Sequence, residues 1–181
     1  MLTRPVQLAE SGALAPGYEQ PFGMLHACHE RVHRTLALLA RLREHVERHG
    51  PDDQARQAAR DVLRYFDLAA PQHHLDEELH VLPRLESSGS PGLVRLAAQL
   101  REDHRRMEAG WARARPLLHA LADGQATPLL AAHETLADFA GLYQRHIAAE
   151  ESAAFPGAQA TMDTASLQAM SEDMMRRRGV R

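Results

Sequence analysis

From Pro21 onward the apolar residues recur at three- and four-residue steps, the spacing of one face of an α-helix. Leu25, Val32, Leu36 and Leu39 form the first stripe, which predicts a helix from Pro21 to about His49, stopped by Gly50-Pro51. Val62, Phe66 and Ala69 open a second stripe. Asp52 or Asp53 stands ready to cap it, and Pro71 inside it predicts a kink. Ser87-Ser88-Gly89-Ser90-Pro91-Gly92 reads as a loop. Leu93, Leu100, Met107, Trp111 and Leu118 make a third stripe, which Pro116 is expected to bend and Asp123-Gly124 to end. The Met107/Trp111 pair at helical spacing reads as core packing. Thr127-Pro128 predicts a cap and a first-turn proline for a fourth helix, whose face carries Phe139, Leu142 and Ala153 and which closes at Pro156-Gly157. Asp163 or Thr164 is placed to cap a short fifth helix bearing Leu167, Met170 and Met174. Arg176-Arg177-Arg178 after it reads as a solvated helix end favoured by the helix dipole.

Residues 1–20 contain Pro5, Gly12, Pro16 and Gly17 and sustain no period. Runs of alternating apolar and polar residues are absent. The pattern therefore predicts an all-α fold. It comprises an irregular N-terminal arm (1–20), an up-down-up-down four-helix bundle (21–157), and a short C-terminal helix with its tail (158–181).

The stripes also carry ionisable residues, and these repeat. His73-His74-Leu75-Asp76-Glu77-Glu78 and His146-Ile147-Ala148-Ala149-Glu150-Glu151 both read His-x-x-x-Glu-Glu. In each copy a phenylalanine precedes the histidine (Phe66, Phe139) and a proline comes after it (Pro83, Pro156) at matching distances. Residues i and i+4 share a helix face, roughly 6 Å apart along the axis, so one ion can take both side chains. Alternatively, the carboxylate can bridge to a second ion about 3.5–4 Å away. Histidine with carboxylate suits iron, zinc or manganese.

A helical wheel at about 100° per residue turns one histidine of each long helix inward: His29, His73, His104 and His146. Three of them bring an inward carboxylate at i+4: Glu77, Glu108 and Glu150. The same wheel turns His26, His33, His74, Glu78, His133 and Glu151 away from the apolar centre. Glu78 and Glu151 thus read as dispensable surface carboxylates, and His73 rather than His74 as a ligand. His80 falls on the face of His73 and Glu77 as an additional or supporting group. Glu108, His33, His80 and His74 are therefore secondary candidates. Burying this many ionisable groups without partners would cost several kcal/mol each, which a metal ion offsets.

Composition narrows the alternatives. A net charge of −3 and a sequence pI of about 6.4 provide no basic field for nucleic acid. All 21 basic residues are arginine. Cys28 is the single cysteine, which excludes an intrachain disulfide and suits a reducing compartment; it reads as a small buried hydrophobe. With no apolar run of about 18 residues and no leader pattern, a cytoplasmic protein without a membrane span is expected.

Cys28-His29-Glu30-Arg31-Val32, the two His-x-x-x-Glu-Glu motifs with their prolines, and Asp103-His104 together resemble the hemerythrin-like HHE cation-binding family over residues 21–157. The resemblance implies a four-helix bundle around a non-haem di-iron centre. It also implies terminal ligands His29, His73, His104 and His146, with Glu77 and Glu150 bridging two Fe ions and Zn or Mn as possible substitutes. Oxygen-carrying hemerythrins have His-x-x-x-His on the third helix and an aspartate five residues after the last histidine; Glu108 and Glu151 stand at those places here. The pattern is closer to the di-iron domain of iron–sulfur-cluster repair proteins, although residues 1–20 hold no cysteine. The expected function is binding of O2, NO or a similar small ligand for sensing or storage. The alternatives are a di-iron enzyme for NO or peroxide reduction or cluster repair, and a structural or zinc-binding bundle.

Overall fold

The computed structural model describes residue 17 and residues 19–180, so nearly all of the expected N-terminal arm lies outside the described residues. The chain is 86% helical with no strands among the described residues. Helix α1 spans Pro21–His49 and ends on Gly50, whose positive φ of 76° no side chain tolerates well. Asp52 caps α2 (Asp53–Arg64) by accepting from the Ala55 amide at 2.8 Å. The second long segment continues through a π-turn at Tyr65–Ala69, α3 (Ala70–Asp76), a π-turn at Glu77–Val81, and α4 (Leu82–Glu86). Ser90 caps α5 (Pro91–Ala122), which runs unbroken past Pro116. The fourth segment comprises α6 (Thr127–Ala131), α7 (His133–Ala149), a π-turn at Glu150–Ala154 and α8 (Phe155–Gln159). It therefore continues past Pro156-Gly157 instead of closing there. Ala126, not Thr127, occupies the N-cap of α6, and it has no side-chain oxygen. Asp163 caps α9 (Thr164–Arg177) through the Ser166 amide.

Each of the three π-turns ends two residues before a proline: Pro71, Pro83 and Pro156. Proline has no amide to donate and its ring crowds the carbonyl four residues back. A π-turn places one extra residue in the turn and relieves that clash. The predicted kink at Pro71 is thus a wide turn just before it, and the repeat places two more π-turns in register, each beginning on the glutamate of a His-x-x-x-Glu pair.

The core has two apolar clusters with a polar layer between them. One contains Val32, Leu39, Val46, Val62, Phe66, Met107, Leu118, Phe139 and Tyr143. The other contains Leu25, Val81, Leu85, Leu100, Ala154, Phe155, Met170 and Met174. The first helix passes from the second cluster to the first, the second segment returns, α5 crosses again, and the fourth segment returns. That alternation, with three short connections, is the up-down-up-down path. His29, His73, His104 and His146 are each flanked in sequence by one residue group of each cluster, so all four occupy the layer between.

Two of the three arginines at the end of α9, Arg177 and Arg178, do not form a solvated end. Arg177 and Arg178 both donate to Asp76, at 2.6 Å, and Asp76 is fully buried. Arg176 and Arg177 also pair with Asp173. These contacts fasten the C-terminal helix across the end of α3.

Candidate metal centre

Four buried histidines and two buried glutamates converge in the polar layer. His73 Nε2 lies 3.1 Å from Glu77 Oε1, and His146 Nε2 lies 2.9 Å from Glu150 Oε1; these are the two i,i+4 pairs of the repeat. His29 Nε2 is 3.1 Å from Glu150 Oε2 and 3.9 Å from Glu77 Oε1. His104 Nε2 is 3.3 Å from Glu77 Oε2 and faces His146 Nε2 at 3.2 Å. The structure thus brings together all six residues that the wheel and the resemblance single out.

Among the described residues the two carboxylates pair only with imidazoles. Glu77 is 0% and Glu150 1% exposed, and all four of their oxygens are sealed from water without a hydrogen bond of good geometry. Buried carboxylate oxygens in this state are rare because desolvation is not repaid. The donor set of imidazole nitrogen and carboxylate oxygen, all aimed inward, fits a divalent transition-metal ion. His29, His73, Glu77 and Glu150 each offer one atom to a cluster within 4.8 Å, as do Glu77, His104, His146 and Glu150. The two glutamates belong to both sets.

Titration reflects the same geometry. Burial pushes His29 down, but the carboxylates of Glu150 and Glu77 outweigh it and raise the imidazole to about 10. Burial likewise opposes His104, yet Glu77 and Glu78 raise it to about 9. Glu77, despite burial, is held well below the carboxylate range by His73, His104 and His29. Without a cation, protons on these imidazoles balance the carboxylates; a metal ion must displace them.

Several secondary candidates take places the wheel did not predict. His74 turns inward. Its ring lies 4.4 Å from that of His104 and nearly parallel to it, and its unpartnered Nε2 is buried beside His104 and His146. Burial and the neighbouring His104 hold it well below the usual histidine range. The π-turn at Tyr65–Ala69 widens the helix just before this pair, and both rings reach the interior, His73 against His29 and His74 against His104. Glu108, expected inward, is exposed; His33 is exposed on the side to which the wheel turns it. His80, which lies within the π-turn at Glu77–Val81, leaves the face of His73 and Glu77 and pairs with Asp173 of α9 at 2.8 Å.

Glu78 and Glu151 are not idle surface groups. Glu78 Oε1 takes His104 Nδ1 at 2.9 Å, and Glu151 Oε1 takes His29 Nδ1 at 2.9 Å. The repeat therefore acts twice in the same way. Each first glutamate faces the Nε2 atoms of the cluster, and each second glutamate holds Nδ1 of a histidine on another helix. With Nδ1 donating, Nε2 keeps its lone pair toward the centre. The wheel missed these contacts because it treats each helix alone; the doubled glutamate in both copies was the signal available in sequence.

The model of the hemerythrin HHE cation-binding domain matches residues 20–158. An uncharacterized protein of Haemophilus influenzae is 31% identical over 134 residues, which cover 74% of this chain and 76% of that protein.

Proposed function

The chain belongs to the hemerythrin HHE cation-binding family, and from that premise we propose that it is a non-haem di-iron protein that binds O2, NO or a similar small ligand for sensing or storage. The observation that carries the reading is the set of four sealed, unbonded oxygens of Glu77 and Glu150 facing imidazole nitrogens. His29 and His73 would hold one ion and His104 and His146 the other, with Glu77 and Glu150 within reach of both. His74 stands beside the second position as a third imidazole. An iron pair held by these residues would supply coordination positions for a diatomic ligand. The residues of the chain contribute orientation, charge balance and exclusion of water. No described helix is long and apolar enough to cross a membrane.

The test is metal content per chain together with the optical spectrum before and after O2 or NO. About two iron ions per chain and a ligand-induced band are expected. Zinc alone, or no metal in protein from iron-replete cells, would replace the reading with that of a structural bundle. Steady turnover of NO or peroxide would make the protein an enzyme instead of a binder.

The second glutamates provide a separate prediction. Glu78→Gln and Glu151→Gln keep the shape but lose the charge that orients His104 and His29. Such partners typically contribute about 10–100-fold in metal affinity. Competition with a chelator should show that loss in each variant, with the helix content unchanged. Affinities equal to the parent's would mean that packing alone orients the two imidazoles.

A further inference from the structure

A cavity of about 510 Å³ opens beside the metal centre, between the second segment and α5. Its size lies within the roughly 300–1,000 Å³ range of small-molecule sites. A water molecule takes about 30 Å³, so a diatomic ligand would leave most of the space empty. Phe66, Met107, Trp111 and Tyr143 line it, and His74 and His104 join it to the polar layer. The aromatic walls are continuous: the Phe66 ring lies 5.1 Å from Trp111 and 5.6 Å from Tyr143. Trp111 is held in place by donating from its indole nitrogen to Asp67 at 2.9 Å.

Two features define what fits. Tyr143 is 3% exposed, and its hydroxyl has no hydrogen-bond partner among the described residues. Tyr143 lines the cavity, and its hydroxyl can donate to an oxygen on a ligand there. The cations at the cavity already have carboxylate partners: Arg101 donates to Glu78 and Glu86, and Arg105 to Glu102. Exposed Glu108 adds a negative charge at the edge. Away from the metal centre, the arginines of the lining thus already have carboxylate partners. The ring faces favour a planar partner in offset or edge contact.

We propose that this cavity binds a neutral planar aromatic molecule carrying one oxygen substituent (a phenol or an aryl carbonyl). The ring packs on Phe66 and Trp111, and the oxygen accepts from the Tyr143 hydroxyl. The inference goes beyond small-ligand binding at the ions and does not depend on which metal they are.

Trp111, the chain's single tryptophan, reports binding directly. The full chain with its metal is titrated with phenol, acetophenone, toluene and benzoate, by calorimetry and Trp111 fluorescence. Phenol and acetophenone should bind at least several-fold more tightly than toluene or benzoate. Tyr143→Phe should lose roughly fivefold for acetophenone and nothing for toluene. Leu75→Trp, at a half-exposed position on the lining, should weaken every binder by closing the space, and it serves if Tyr143→Phe does not fold. Metal content measured on the same samples separates loss of ions from loss of the cavity. Absence of binding by phenol and acetophenone at millimolar concentration overturns the proposal. So does equal binding of benzoate, and so does Leu75→Trp binding like the parent.

Discussion

Replacing Glu77 or Glu150 with alanine is expected to lower the metal content from about two ions per chain to one or fewer. Both carboxylates belong to both candidate sets of ligands. A carboxylate shared by two cations screens their repulsion, which a single imidazole cannot do. Loss of either glutamate should therefore weaken both positions together, whereas loss of a histidine should weaken chiefly its own. Glu77→Ala leaves His29, His73 and His104 without their common acceptor. Glu150→Ala leaves His29 and His146 in the same state. Metal analysis of the purified variants decides the question. Two ions retained by either variant would show that its glutamate is not shared. A parent protein that never exceeds one ion per chain when iron is plentiful would replace the pair with a single-metal site.

Asp76→Ala should cost about 3–5 kcal/mol of folding stability, more than any surface charge change in this chain. Asp76 is 0% exposed, and both Arg177 and Arg178 point at it with little solvent around them. Removing the carboxylate takes from both guanidinium groups their buried partner. It also frees one end of α9, whose Met170 and Met174 are buried in the apolar cluster with Leu85 and Phe155. Urea unfolding of the metal-loaded protein measures the effect. A change within about 0.5 kcal/mol of the parent would mean that the arginine contacts behave like exposed pairs. Asp76 directly precedes Glu77, so metal content in Asp76→Ala would also show whether the C-terminal contact helps to hold that glutamate in place.

The π-turns show where local reasoning carries and where it stops. The three prolines were visible, and their repeat at Pro83 and Pro156 was visible too. The helices nonetheless continue past them, because one widened turn costs less than ending a helix whose apolar face is buried on both sides. A wheel of constant pitch loses its register at each such turn. His74 and His80 fell on the wrong faces. Glu108 failed differently: its spacing from His104 is right, but no second copy of the motif supports it, and it stands at the open edge of a cavity.

Much was determined by the sequence alone. The helix period, the caps at Asp52 and Asp163, and the stops at Gly50 and Gly124 are local events, governed by backbone hydrogen bonds within a few residues. The i,i+4 spacing of His73 with Glu77 and of His146 with Glu150 is equally local, and duplication marked it as more than chance. Only the tertiary structure decided the rest: Glu78 on His104, Glu151 on His29, Asp76 between Arg177 and Arg178, and the aromatic cavity beside His74. Those side-chain partners lie 26 (Glu78–His104) to 122 (Glu151–His29) residues apart. No pattern within one helix specifies them. They arise from the rotation and depth at which packed helices meet, and that is set by the two apolar clusters on either side of the polar layer.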